Sequence, residues 1–245
     1  MKKIRLDKFL SHLGFGTRKE VKNLLKEGVV TVNDVVTKKP ISIDIEKDTV
    51  KVEDKPIKYK EHFYYMLNKP QGYITATKSE EHSTVMDLMS DEPVADKLFP
   101  VGRLDIDTEG LLIITNDGQL SHRLTHPKWN VEKEYYAVVK GNLSDKDFSK
   151  YEKEGLKIDK NEKTKPFKIK VLSSQGDKSH INITVTEGKY HIVKRIMEKL
   201  GYPVLYLKRI RIGSLVLDKE LKSGEYRELT EKEVKQLKKT VKMED

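Results

Sequence analysis

The sequence predicts an α+β protein: a small N-terminal module of two helices and short strands, then a larger domain with a largely antiparallel mixed sheet flanked by helices. Three patterns predict it. Apolar residues at helical spacing run twice through the start of the chain and then give way to a β-branched run. Farther on, Phe167, Ile169 and Val171 alternate with lysines, and Ile181, Ile183 and Val185 with polar residues, as half-buried strands do. Helical periodicity returns in short stretches, most clearly at Ile192, Val193, Ile196, Met197 and Leu200.

In chain order, Leu6, Phe9, Leu10 and Leu13 can bury one face of a first helix, which Gly14 and Gly16 break. Thr17-Arg18-Lys19-Glu20 is a capping box, whose hydroxyl and carboxylate satisfy the amides that a helix start leaves free. Val21, Leu24 and Leu25 form the next buried stripe, and Gly28 suits a C-terminal cap. Val29–Val32 reads as a strand with Asn33-Asp34 as its turn. Lys55–Glu61 is charged, contains Pro56 and lacks apolar periodicity, which marks a linker. Phe63–Leu67 is a strand ending at Asn68-Lys69-Pro70-Gln71-Gly72. Leu111–Thr115 is a short apolar run closed by the turn signal Asn116-Asp117-Gly118, hence a buried strand, and residues 102–110 precede it as a polar loop between glycines. A short helix at Leu120–Leu124 ends near Pro127, and Tyr135–Val139 is a strand. The two alternating runs join across residues 173–177. Gly201 and Pro203 end the helix after Ile192, whose other side carries His191, Lys194, Arg195 and Glu198. Val204–Leu207, Ile210–Ile212 and Leu215–Leu217 read as separate strands, and Thr230–Glu233 caps a terminal basic helix.

The 245 residues are 36% hydrophobic, enough for a core beneath a very polar surface. No run of about 18 apolar residues spans a membrane. The first seven residues are charged and lack the apolar stretch of a signal peptide. Cysteine is absent, which excludes disulfides and thiolate metal sites. A soluble cytoplasmic protein is the expectation. The net charge is +9, and residues 1–40 hold ten Lys/Arg against four Asp/Glu, so six of the nine lie there. A concentrated basic surface usually faces phosphate, because neutralised phosphates release counterions. A solvated surface in a lysine-rich chain is the plainer alternative, since 40 of the 48 basic residues are Lys.

Arg5, Lys8, Arg18, Lys19 and Lys22 lie outside the apolar stripes and can form one cationic face across both helices. Arg5-Leu6-Asp7-Lys8-Phe9-Leu10, then Thr17–Glu20, then Gly28–Asn33 resembles an S4 RNA-binding domain over residues 3–55. The family usually has Gly where Asp34 stands. The resemblance implies RNA contact by the paired helices.

Asp105 and Asp107, beside Arg103, are the first candidates for chemistry. From the local sequence alone, two solvated turn acids remain the simpler reading. His122 and His126 are four apart, as in some zinc sites, but no third ligand is spaced to help and Pro127 interrupts the helix. No phosphate-binding glycine motif is present, so no nucleotide cofactor is indicated. Lys189, Lys194 and Arg195 can bind phosphate or a carboxylate, or simply solvate a helix.

Together the segments resemble one family. Gly102-Arg103-Leu104-Asp105-Ile106-Asp107-Thr108-Glu109-Gly110-Leu111-Leu112 looks like the catalytic motif of pseudouridine synthases, in the branch that modifies ribosomal RNA. Leu67–Gly72 resembles the opening of that branch's catalytic domain, Lys133-Glu134-Tyr135 its K-x-Y motif, and Glu187–Arg195 its third motif. Gly213 and Gly224–Arg227 also fit. Tyr190-His191 and Val193-Lys194-Arg195 are most similar to the members that act on 16S rRNA of the small subunit, at uridine 516. Ile192 stands where the family generally has Gln.

The implied reaction detaches uracil at N1, rotates it and rejoins it through C5, so no cofactor and no metal is chemically required. An electron-poor C1′ favours a nearby carboxylate, as in glycoside hydrolysis. The resemblance assigns this to Asp105, its charge partner to Lys194, and stacking on uracil with help in removing the C5 proton to Tyr135. Arg103 would fill the gap left by the extruded nucleotide. Lys189, His191 and Arg195 would contact the RNA, and Asp107 would shape the loop. The expected division is an S4 domain at 1–57, a linker at 58–61, a catalytic domain at 62–235 and a basic tail at 236–245. Expected partners are ribosomal RNA, 16S or an assembling small subunit, with no membrane and a monomeric chain. A 23S rRNA enzyme, a non-catalytic ribosome-assembly factor that binds RNA, and a metal-dependent nuclease using Asp105 and Asp107 are the competing readings.

Overall fold

The computed structural model describes residues 2–243. They divide into two compact units, one formed by the chain up to His62 with Met89–Leu98, the other by Phe63–Leu88 and the chain from Phe99 onward.

The first unit runs β1 (Lys3–Arg5), α1 (Leu6–His12), α2 (Arg18–Glu27), β2 (Val30–Val32), β3 (Val35–Val36), β4 (Ser42–Asp44), β5 (Val50–Val52) and β6 (Lys55–Ile57). Strand β1 pairs with β4, and β3-β2-β5-β6 form an antiparallel sheet. Leu6, Phe9, Leu10, Val21 and Leu25 pack with Val30, Ile43 and Val50 into one core. The capping box forms as the sequence predicts: the Glu20 carboxylate accepts from Thr17 N at 2.7 Å, and Thr17 Oγ1 accepts from Glu20 N at 3.3 Å. Asp34 holds φ +64° in the β2–β3 turn, a conformation that explains why Gly would also serve there. Residues 58–61, expected as a free linker, are tied to this unit: Tyr59 packs against its core and His12 Nε2 lies 2.8 Å from Lys60 O. Lys97 Nζ donates to Ser11 O, so part of the 89–98 segment belongs with α1.

The second unit contains β7 (Tyr64–Lys69), β8 (Phe99–Val101), β9 (Glu109–Thr115), α3 (Gly118–Thr125), β10 (Lys133–Lys140), α4 (Tyr151–Glu154), β11 (Lys168–Gln175), β12 (Lys178–Val185), α5 (Ile192–Lys199), β13 (Val204–Ile212), β14 (Leu215–Val216), β15 (Tyr226–Glu228) and α6 (Glu231–Thr240). The sheet order is β11-β12-β10-β13-β9-β7-β15, with β14 on β13 and β8 on β9. Among the described strands of this sheet only β13 and β9 pair in parallel, so it is mixed and mostly antiparallel, the fold class read from the sequence.

Two expectations change. Strand β13 is continuous through Lys208 and Arg209, where the sequence suggested two strands. Arg209 is only 2% exposed and its Nε donates to Leu111 O at 2.8 Å, so a charged residue sits inside a strand that apolar pattern alone would break. Helix α6 runs on through Thr240, with Leu237 and Val241 buried among Tyr64, Leu111 and Leu229. Residues 236–241 are therefore core-forming rather than a tail. The basic residues Lys238 and Lys239 lie between the two buried positions and hide them from a reading by charge.

Candidate active site

The loop from Gly102 to Thr108 joins the antiparallel strands β8 and β9. Its backbone is held from beneath. Lys69, at the end of β7, is fully buried, and its Nζ donates to Asp105 O at 3.0 Å, Thr108 O at 2.9 Å and Pro70 O at 3.0 Å. Burial pushes this ammonium down to about 8, against the pull of Asp107, Asp105 and Glu109. Thr75 Oγ1 donates to Leu104 O at 2.8 Å and accepts from Leu104 N at 3.1 Å. Just beyond the loop, Gly110 has φ +102°, and a Cβ there would lie 2.2 Å from Arg209 O. Only Gly lets β9 approach β13 so closely.

This scaffold presents Asp105 at the mouth of a cavity of about 260 Å³. Its carboxylate oxygens lie 3.3 Å from His191 Nε2 and 3.3 Å from Lys194 Nζ. Both partners come from the start of α5, where His191 takes φ +48°, a strained conformation for a residue with a Cβ. The exposed Tyr190 ring stacks on the His191 ring at 3.6 Å. Tyr135, only 8% exposed, lines the same cavity from β10, as do Arg103, Lys189, Lys133 and Arg209.

Lys194 contacts Asp107 more closely than Asp105, at 2.7 and 2.8 Å to its two oxygens. Asp107 is thus an ion-pair partner at the site, beyond shaping the loop. Burial is the largest single influence and opposes its charge, but the hydrogen bond and positive charge of Lys194, with smaller contributions from the loop backbone and His191, together hold the carboxyl below its ordinary range. Burial likewise opposes the charge of Lys194, and Asp107 and Asp105 together raise it.

Other cations at the site are paired as well. Arg195 binds Glu162, and Lys189 lies 3.3 Å from Glu162 and 3.2 Å from the buried Glu187. Arg103 is exposed and has no ion pair among the described residues. His126, considered above as half of a metal pair, uses Nδ1 to accept from Lys128 N at 3.2 Å.

The cavity wall differs. Lys133 and Tyr135 are two apart on β10 and so share a face, and Arg209 is the cross-strand neighbour of Tyr135 on β13. Lys133 Nζ donates to Val131 O at 3.2 Å. Burial pushes it down to about 8, and Arg209 and Lys165 act in the same direction. In the sequence, Lys69 and Lys133 stand only as letters of their motifs, and no motif takes in Arg209. A lone lysine closing an apolar strand, and a charged pair splitting another, were the available signals.

In the first unit, Asp7 is fully buried and accepts from Arg18 Nη2 at 2.9 Å and Arg5 Nε at 3.1 Å. Burial works against its charge, and the two guanidiniums outweigh it and hold the carboxyl below its usual range. Lys8, Lys19 and Lys22 are exposed and carry no ion pair among the described residues.

The RNA pseudouridylate synthase family model matches residues 63–199, and the S4 domain model matches residues 4–41. The chain is 45% identical over 233 residues to an uncharacterized RNA pseudouridine synthase of Bacillus subtilis, covering 94% of this chain and 97% of that protein. It is 38% identical over 235 residues to ribosomal small subunit pseudouridine synthase A of Escherichia coli, covering 94% and 98%. A crystal structure of a pseudouridylate synthase superposes with a TM-score of 0.65 at 37% identity, covering 96% of this chain and 99% of that one. With an S4 domain ahead of a mixed sheet that carries the Asp105 loop, the chain belongs to the RNA pseudouridylate synthase family, and it is an isomerase that makes pseudouridine.

Proposed function

We propose that this enzyme isomerises one uridine of 16S rRNA, at position 516, with Asp105 reacting at C1′. The observation that carries the reading is the placement of Asp105. Its carboxylate opens onto a cavity that Tyr135 also lines, with two potential cations at 3.3 Å. A carboxylate so placed matches the positive charge that develops at C1′ when the glycosidic bond breaks. Lys194 supplies the positive charge beside Asp105 and shares itself with Asp107. Tyr135 stacks on the extruded uracil and assists loss of the C5 proton. Arg103, unpaired and exposed, enters the gap left in the RNA. Lys189, His191 and Arg195 contact the RNA around the mouth, with Lys189 and Arg195 exchanging acid partners for phosphate.

In the N-terminal domain, Arg5, Lys8, Arg18, Lys19 and Lys22 bind the rRNA backbone. Asp7 orients the two arginines, and the three lysines bring free charge. The enzyme works as a monomer in the cytoplasm, on free 16S rRNA or an assembling small subunit. Relatives named for the small subunit, at 37–41% identity over nearly the whole chain, favour 16S over 23S rRNA.

The test is tritium release from C5-labelled uridine in 16S and 23S transcripts, with EDTA present. Release from 16S alone, at one mapped position, is the expected result. Release from 23S alone would reassign the target. Binding without release would favour an assembly factor, and activity abolished by EDTA would favour metal chemistry.

A further inference from the structure

The charges around the cavity are not matched evenly. At the mouth, Lys194, Lys189 and Arg195 each have a carboxylate partner. On the wall, Lys133 and Arg209 have none among the described residues. Arg209 is 2% exposed, and its Nη2 is buried without any hydrogen-bond partner. Lys133 is half-buried, and the charges that act on it, Arg209 and Lys165, are also positive. Two adjacent cations shielded from water and lacking a counter-charge are costly. Unlike the buried Lys69, whose ammonium is satisfied by several backbone carbonyls, this pair keeps donor capacity free at the cavity.

The geometry points to a leaving-group site: Lys133, backed by the field of Arg209, stabilises the negative charge that gathers on the uracil ring once it leaves C1′. This rests on the reading of Asp105 as the residue that reacts at C1′. The electron count fits. The N1–C1′ bond breaks with its electron pair left on uracil, so negative charge spreads over N1, O2 and O4. C1′ is left electron-poor beside Asp105. C5 then bonds to C1′ through a ring electron pair, C5 loses its proton and N1 takes one up, so nothing is gained or lost. The cavity is polarised to match: a carboxylate at its mouth for the sugar, and cations on its wall for the base. Fixed charges aimed at where charge develops act without reorganising at the moment of reaction.

The experiment follows the target nucleoside in a 16S rRNA fragment under single turnover, as the fraction still N-linked after digestion. Lys133→Met should slow the step about a hundredfold while RNA affinity stays within about twofold. Lys133→Arg should recover most of the rate. The decisive substrate carries 5-fluorouridine at the target. Fluorine withdraws electrons and stabilises the departing ring, so the Lys133→Met defect should shrink to about tenfold. An equal defect on both substrates would make Lys133 structural. A loss of affinity with an unchanged rate would make it a phosphate contact. Either result overturns the proposal, as does a native rate in Lys133→Met. Thermal melting is the folding control: Lys133→Met removes an unmatched charge, so its Tm should hold or rise. A large fall would overturn the premise, with Lys133→Gln then carrying the kinetic comparison. If the native protein converts no uridine in 16S rRNA, the proposed function fails first and this inference with it.

Discussion

The N-terminal helices and the catalytic cavity both contain cations without acid partners, but in opposite settings. On α1 and α2, Lys8, Lys19 and Lys22 stand in water, while the one buried acid, Asp7, orients Arg5 and Arg18. Around the catalytic cavity, three cations at the mouth are paired, Arg103 is exposed and unpaired, and Lys133 and Arg209 lie unmatched on the wall. An unpaired charge in water costs the fold almost nothing and remains free to meet phosphate. An unpaired charge in the interior costs a great deal, and is offset by backbone carbonyls, as at Lys69, or by charge that arrives with a ligand. On the proposed function, the first region serves affinity and the second serves rate.

Asp105→Asn is the strongest test of that division. It is nearly isosteric, so the loop held by Lys69 and Thr75 should survive. Loss of the charge at C1′ should cost roughly a thousandfold or more in single-turnover rate, with RNA binding retained. Asp107→Asn should be far milder, about tenfold, because Lys194 still has Asp105 at 3.3 Å. Substantial activity in Asp105→Asn with a dead Asp107→Asn would reverse the two roles.

Tyr135 should separate rate from affinity within one side chain. Tyr135→Phe keeps the stacking ring and should bind RNA normally while turning over roughly tenfold more slowly. Tyr135→Leu should also lose affinity. A native rate in Tyr135→Phe would leave stacking as its whole role.

The triple variant Lys8→Gln, Lys19→Gln, Lys22→Gln should leave the saturated rate unchanged. Its plot of log affinity against log salt should flatten by about two, since each lost phosphate contact removes roughly 0.7–0.9. An unchanged slope would detach the N-terminal domain from RNA binding.

A smaller effect concerns stability alone. Glu233 accepts from Arg227 Nη2 at 2.8 Å and Nη1 at 2.9 Å, and also caps α6. The Arg227 hydrogen bond holds its carboxyl down at about 2, from an ordinary 4.5. A depressed acid stabilises the fold above its unfolded pKa and loses that contribution as pH falls toward about 2. Glu233→Gln should therefore cost roughly 1–2 kcal/mol in urea melts at pH 7 and almost nothing near pH 2. An equal cost at both would mean that packing, not charge, is what Glu233 contributes.

Much of this was legible in the sequence because it depends on local spacing. The apolar stripe of α5, the Thr17 and Thr230 capping boxes and the alternation of β12 each follow from side-chain periodicity and unsatisfied helix-end amides. The resemblance to pseudouridine synthases, and not spacing, brings Asp105, Tyr135 and Lys194 forward as one group, and all three line one cavity. Tertiary structure alone decided which charges meet. Lys194 reaches Asp107 across 87 positions, Lys69 reaches the Asp105 carbonyl across 36, and Arg209 is buried inside β13 because β9 needs its hydrogen bond. Periodicity reports the environment of a residue averaged over its own element. Charge pairing depends on distances of a few ångströms between elements, and the energy of an ion pair falls too steeply with separation and solvent for sequence position to reveal it.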